Sequence, residues 1–390
     1  MASACISQIR FFPLQTLTRI SLKSFPIPNL IRTPKSKLYS HKIPYSTMSS
    51  NESMPKKSKA DHFTIGTHSG NFHCDEVLAC FMIKQLPVYS DAKIIRSRDD
   101  KILDECDMVI DVGGVFNHEL KRYDHHQKEF QESISSLKPE IGEGFKIRLS
   151  SAGLIYTFYG EDIIQAILKK NGSEQLSPSD LKAVYKQIYK SLIQEIDAID
   201  NGVPMFDGEP LYTISTNLSA RIGNLNPSWD EVDYDLDEIF KIAMAKVGEE
   251  FTQIVMGFAT SWIKARSHVR TAIENAKKVH ESGEILEFER FCPWKNHLAD
   301  LEKEYNIEGV PKYVLFQEKP DSWRVMCVPH TPSSFVCRKF LRENWRGLRD
   351  EELSKLAGIP GLIFVHHTGF IGGATTRESV LKMAIQSLEN

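Results

Sequence analysis

Short β-prone runs and helical periodicities alternate along the first half of this chain. His62-Phe63-Thr64-Ile65-Gly66-Thr67 is a β-prone run that ends in a turn. From Asp75 to Leu86, the residues Val77, Leu78, Phe81, Met82 and Leu86 recur at the spacing of one helix face. Lys93-Ile94-Ile95 and Met108-Val109-Ile110-Asp111-Val112 are short apolar runs of strand type. Strand, helix, strand, strand at this spacing predicts a parallel sheet with crossover helices. Residues 131–146, polar and rich in glycine, predict a surface loop; helices are expected over Ser150–Lys169 and Leu181–Ile199.

A different pattern follows. Apolar residues at 236, 239, 240, 243, 247, 251, 254, 258 and 262 mark a long amphipathic helix, with a continuation as far as His280. Beyond it come strand-like runs at Gly283–Phe288, Tyr313–Phe316, Trp323–Val328 and Leu362–Val365, and a closing helix over Thr376–Leu388. There are no internal repeats. The expected architecture is α/β: a mainly parallel sheet domain over 61–235, a connecting helix over 236–280 and a smaller α+β domain over 281–390.

Composition changes this picture at the amino terminus. Residues 1–51 hold seven Lys or Arg, many Ser and Thr, and no Asp or Glu; the first acid is Glu52. That is the composition of an organelle transit peptide, mitochondrial or plastid, so 1–60 is set apart as a transit-like, disordered segment. Met48 could start a shorter nuclear or cytoplasmic form, with Pro55-Lys56-Lys57-Ser58-Lys59 as a weak nuclear signal. The whole chain of 390 residues carries 48 basic and 51 acidic side chains; without residues 1–51 the balance is 41 against 51, net −10. Such a body does not attract a polyanion by its overall field and needs a local basic cleft or bound cations. Seven single cysteines without a CxxC pair argue against a zinc ribbon and a secreted disulfide scaffold. No apolar run approaches a membrane span, and no obligate protein partner is evident.

The chemistry-bearing residues stand at the ends of the expected strands. The first strand runs into His68-Ser-Gly-Asn-Phe-His73-Cys-Asp75-Glu76, the third into Asp111-Val-Gly113-Gly114, and Tyr123-Asp124-His125-His126-Gln127 follows shortly after. In open α/β sheets the carboxyl ends of the strands gather around the ligand, so these clusters should converge. A single histidine at a strand end is ordinarily a hydrogen-bonded structural residue, and Asp111 before Val-Gly-Gly could cap a turn. Three such clusters at successive strand ends are harder to dismiss. Imidazole with carboxylate suits manganese, iron or zinc, and several carboxylates favour two ions over one.

Asp124-His125-His126 with the upstream histidine-rich strand end and Asp111 resembles the DHH phosphoesterases. Thr67–Ala79, Leu149–Tyr156, Asp197-Ala-Ile-Asp-Asn-Gly202, Arg221–Pro227, Trp345–Asp350 and Gly369–Gly373 are similar to the melanocyte-proliferating-gene family of 3′–5′ RNA exonucleases, over about residues 61–390. The resemblance implies a DHH domain holding two divalent ions, Mn²⁺ or alternatively Mg²⁺, with RNA as substrate. It implies His68, His73 and Asp75 as ligands of the first motif, although His73 replaces an expected carboxylate at a spacing one residue longer. Asp111 would bridge the ions and His125 would be a further ligand. His126 would meet the scissile phosphate, oriented by Asp124. The carboxylate of the fourth motif is Asp197 or Asp200, with Asp200 preferred. A glycine-rich loop over Gly369–Arg377, with Gly372, Gly373 and Arg377, would hold the substrate's phosphate. Arg338, Arg342 and Arg346, in a dense basic run with Lys339 and Arg349, are either a nucleic-acid track or solvated surface. Three functions compete: a 3′–5′ exoribonuclease of mitochondria or nucleus, a small-substrate phosphoesterase or pyrophosphatase, and a non-catalytic regulator that retains the fold.

Overall fold

The computed structural model describes residues 62–389, Glu143 excepted. The basic amino-terminal segment, and the import expected of it, lie outside the described residues. Five strands form the first sheet: β1 (Thr64–Thr67), β2 (Lys93–Arg96), β3 (Met108–Ile110), β4 (Phe116–Asn117) and β5 (Arg122–Tyr123), in the order β2-β1-β3-β5-β4. β1 runs parallel to β2 and β3, and β3 parallel to β5; β4 alone is antiparallel. The chain moves outward from β1 to β2 and returns to place β3 on the other side of β1. The strand order therefore reverses at β1, the kind of switch point at whose carboxyl edge open α/β sheets bind ligands.

The crossover helix Cys74–Ile83 is buried almost throughout. It ends three residues before the expected Leu86, because Pro87 follows and disfavours helical backbone at the residue before it. Helices Ser151–Lys170 and Leu236–Gly257 pack on it. Gly248 makes the second contact close: a Cβ there would run into the Phe81 ring. The expected helix over Leu181–Ile199 is present as Pro178–Ile188, a π turn at Tyr189–Ile193, and Gln194–Asp200. The stretch 131–146 is less loop-like than its composition: it contains the short helix Ile134–Leu137, and Ile134 and Ile141 are buried.

The second sheet comprises β6 (Ile285–Phe288), β7 (Tyr313–Lys319), β8 (Ser322–Cys327), β9 (Leu362–Val365) and β10 (Ile371–Ala374), ordered β6-β7-β8-β10-β9. Only β6 and β7 are parallel. Side-chain alternation splits it between two cores. Ile285, Tyr313 and Leu315 pack with Val380 and Met383 of the closing helix Arg377–Leu388, whereas Leu286, Val314 and Phe316 pack with Val269, Leu298 and Leu301. The first sheet's core extends to Ile263 and one core of the second sheet starts at Ala265. Between them the long helix is interrupted by a π turn over Phe258–Trp262 before continuing as Lys264–Glu274 and Ala276–Val279. No helix among the described residues is long and apolar enough to cross a membrane.

Candidate metal centre at the carboxyl edge of the first sheet

β1, β3 and β5 are parallel, so the residues that follow them emerge on one edge. His68 follows Thr67, Asp111 follows Ile110, and Asp124-His125-His126 follows Tyr123. Asp111 sits at φ +60° and Gly113 and Gly114 at +93° and +67°. This left-handed turn is open to glycine and tolerated by aspartate. Asp75 and Glu76 occupy the first turn of helix Cys74–Ile83, where the positive end of the helix dipole favours carboxylates. Both oxygens of Glu76 also accept from the backbone N–H of His73, at 3.0 Å each.

The side chains converge on Asp111. Its Oδ2 lies 3.4 Å from His68 Nε2, and its Oδ1 lies 3.4 Å from His125 Nε2 and 3.7 Å from His126 Nδ1. Ser151, at the start of helix Ser151–Lys170, donates its hydroxyl to Asp111 Oδ1 at 2.9 Å. His68 Nε2 also approaches Glu76 Oε1 at 3.1 Å, and His125 Nε2 approaches Asp200 Oδ2 at 3.1 Å. Three sets of side chains bring ligand atoms within 4.8 Å of one another: His68, His73, Glu76 and Asp111; Asp111, His125 and His126; His73, Asp75 and Asp200. These acidic and histidine clusters can bind metal ions.

Burial makes the cluster electrostatically demanding. His68, Asp75, Glu76, Asp111, Asp124 and His125 are each at most 4% exposed. Burying one unpaired carboxylate costs several kcal/mol, more than the roughly 1.5–3 kcal/mol that a buried leucine contributes. Burial pushes the Asp75 carboxyl well above its usual range, and repulsion from Asp111, Asp200 and Glu76 adds to the rise. Asp111 moves the other way: burial opposes its ionisation, yet His125 and His68 hold its carboxyl below the usual range. For His68, burial would lower the pKa, but Asp111 and Glu76 outweigh it and bring it to about 9. Asp111 and Asp200 do the same for His125, to about 10. Asp75 Oδ1 and both ring nitrogens of His125 are nevertheless buried without an aligned hydrogen-bond partner. His125 Nε2 is close enough to its carboxylates for ion pairing but not oriented for a hydrogen bond. Orphaned acceptor atoms among crowded carboxylates fit divalent cations.

Asp124 differs from its neighbours. It accepts from the Gly114 N–H at 2.6 Å and from the His126 N–H at 3.1 Å, and pairs with His126 Nδ1 at 2.7 Å. Those bonds overcome burial and hold its carboxyl down, while the same pair raises His126. The His126 side chain is 62% exposed, so its ring is available to a ligand.

Of the two carboxylates open for the fourth motif, Asp200 faces His125 at the end of helix Gln194–Asp200. Asp197 is committed elsewhere. Its Oδ1 accepts from Ser150 N at 2.9 Å and Ser150 Oγ at 2.7 Å, and its Oδ2 accepts from the Tyr189 hydroxyl at 3.1 Å. Gly153 leaves room for it, since a Cβ there would collide with the carboxylate. Burial pushes Asp197 up to about 7 against those hydrogen bonds. Glu76 and Ser151 are cluster members that the sequence alone did not single out. The signal for Glu76 was its place three residues after His73, which by itself indicates only a capping box.

The residues expected around the substrate lie with the second sheet. Gly372 and Gly373 are not in a loop: they stand inside β10, paired with β8 and β9. A Cβ on Gly372 would come within 2.7 Å of Met383 Sδ, and one on Gly373 within 2.6 Å of an Arg324 nitrogen, so close packing requires glycine at both. Arg338 donates to Glu302 Oε1 at 2.5 Å and Oε2 at 2.8 Å; Arg377 pairs with Glu287 at 2.6–3.0 Å. Arg342 donates to the Gln386 carbonyl at 2.6 Å, and Arg346 to the Leu341 carbonyl at 3.2 Å. None of these contacts reaches the histidine–carboxylate cluster.

Comparison with known proteins finds relatives over nearly the whole described chain. Residues 64–388 match the MYG1_exonuc profile, described as an uncharacterised protein family (UPF0160). The chain is 44% identical over 339 residues to the MYG1 exonuclease of Homo sapiens, covering 86% of this chain and 89% of that one. It is 43% identical to the MYG1 exonuclease of Bos taurus, covering 88% and 91% of the two chains. It is 41% identical to the MYG1 protein YER156C of Saccharomyces cerevisiae, covering 83% and 95%. A solved structure titled as the pGpG-specific phosphodiesterase PggH from Vibrio cholrae covers 84% of this chain and 97% of that chain. At 13% identity and a TM-score of 0.23, that overlap is too loose to bear on fold or chemistry. With a profile match spanning both sheets and relatives above 40% identity along most of their own length, this chain belongs to the MYG1 exonuclease family.

Proposed function

We propose that the protein is a two-metal phosphodiester hydrolase of DHH type, acting as a 3′–5′ exoribonuclease. The observation that carries this reading is Asp111, whose two oxygens are divided between His68 on one side and His125 on the other. His68, His73, Asp75, Asp111, His125 and Asp200 would hold the two ions, with Asp111 between the His68 and His125 sides. Divalent ions so held, Mn²⁺ or Mg²⁺, would polarise a phosphoryl oxygen and ionise an attacking water. Asp124 fixes the proton on His126 Nδ1 and so presents Nε2 to the departing oxygen. Relatives named as exonucleases support a nucleic-acid substrate. In this reading residues 61–235 carry the chemistry, the helix over 236–280 connects, and residues 281–390 face the rest of the substrate.

Purified protein should be incubated with Mn²⁺ and, in parallel, end-labelled RNA, end-labelled DNA and pyrophosphate. Stepwise shortening of RNA from its 3′ end is the expected result; turnover of pyrophosphate alone would sink the reading. One observation favours a short substrate as the second reading: Arg338, Arg342, Arg346 and Arg377 all have partners inside the protein. A phosphoesterase for dinucleotides would need few of them. For residues 1–51 we propose organelle import, checked by fusing them to a fluorescent reporter; a purely cytosolic signal would remove it.

A further inference from the structure

Arg98 stands two residues past the end of β2, on the same sheet edge as His68. The side chain is exposed. Its Nε donates to the Ser69 carbonyl at 3.0 Å, and its Nη2 lies 3.3 Å from His68 Nδ1. The Ser69 carbonyl takes only Nε, so the guanidinium keeps charged donors beside the cluster. The other arginines of this edge are held: Arg96 by Asp237 and the Gly70 carbonyl, and Arg148 by the His125 carbonyl beside the Phe130 ring.

We propose that Arg98 binds a phosphate oxygen of the substrate. The inference rests on the reading of His68 as a metal ligand. Guanidinium and phosphate match in charge and geometry, and this exposed side chain stands 3.3 Å from that ligand. The arrangement has two consequences of opposite sign: loss of Arg98 weakens substrate binding but strengthens metal binding, because a nearby positive charge is removed.

The test uses the full chain and reads binding, not turnover. Mn²⁺ affinity is measured by calorimetry for the wild type, Arg98→Gln and Arg98→Lys. Binding of adenosine 5′-monophosphate is then measured at saturating Mn²⁺. Arg98→Gln should lose about 10- to 100-fold in nucleotide affinity, the worth of a charge-assisted hydrogen bond, and should bind Mn²⁺ more tightly. Arg98→Lys should recover part of the nucleotide affinity. An exposed side chain should leave the melting temperature unchanged, which separates these effects from misfolding. Unchanged nucleotide affinity in Arg98→Gln, or Mn²⁺ affinity that stays level or falls, overturns the proposal. A wild type that binds no Mn²⁺ at all brings down the metal-site reading, and the proposal with it.

Discussion

The histidine–carboxylate edge of the first sheet and the arginine-rich flank of the second treat charge in opposite ways. At the first, carboxylates crowd together, Asp75 is driven up in pKa, and an aspartate oxygen and an imidazole are buried without aligned partners. At the second, Arg338 closes on Glu302 and Arg377 on Glu287, both through two oxygens. Unmet demand marks the first as a place awaiting something from outside the chain. Saturation marks the second as scaffold. Density of charge in a sequence does not distinguish the two; only the partners do.

The largest effect expected from this contrast is at Asp111. Asp111→Ala should lower phosphodiester hydrolysis at least about a thousandfold, as loss of a transition-state contact shared by two ions would, and should weaken Mn²⁺ binding measured by calorimetry. Near-normal activity with metal retained would put the site elsewhere. Next comes the opposite flank. Arg338→Ala strands Glu302, only 2% exposed, and should cost about 3–5 kcal/mol in urea unfolding. If that variant is as stable as the wild type and merely binds RNA less well, the flank is a nucleic-acid track and not scaffold. Gly372→Ala is third, with an expected loss of about 1–3 kcal/mol from overpacking against Met383 and Leu341. A stable variant with an altered Michaelis constant would restore a direct substrate role to that strand.

The smallest effect concerns Asp197. Its carboxyl is raised from 3.8 to about 7, so between those values the folded protein holds a proton that the unfolded chain has released. Its contribution is full at the acid end of that window and is lost as pH rises through it. Asn at this position can accept from Ser150 and hydrogen-bond Tyr189 without titrating. Relative to the wild type, Asp197→Asn should therefore gain roughly 1 kcal/mol or more between pH 5 and pH 8. Equal pH dependence of unfolding in the two proteins would show that Asp197 is ionised throughout.

Much of the first edge was legible because strand ends and histidine-bearing motifs coincide in the sequence: His68, Asp111 and His125 lie within two residues of β1, β3 or β5. The two-residue strands β4 and β5 are too short for alternation to register, although β5 is what carries Asp124 to the edge. The choice between Asp197 and Asp200 needed the tertiary structure. Both lie on one helix, and only the approach of Ser150 and Tyr189 from other turns separates a hydrogen-bonded carboxylate from one facing His125. Gly372 and Gly373 were expected in a phosphate-holding loop because of the family resemblance, whereas glycine stands there for the space that Met383 and Arg324 take. Helix Trp294–Tyr305 went unnoticed behind Pro293, yet Trp294, Leu298 and Leu301 are central to one of the second sheet's cores.

The long helix has a bearing on modularity. Its first stretch is not a tether: Phe240, Ala243, Val247, Phe251 and Val255 are buried in the first sheet's core, with Gly248 seated on Phe81. A gene fragment ending before Leu236 would strip that wall from the crossover helix that bears Asp75 and Glu76. One ending at Ile263, just past the π turn, would keep that wall and give up the following core together with the contacts of His297 on Trp262 and Asp300 on Lys186. The seam along which such a protein could be cut, fused or inherited in parts therefore runs through the middle of a continuous helical rod, not through the loop in front of it.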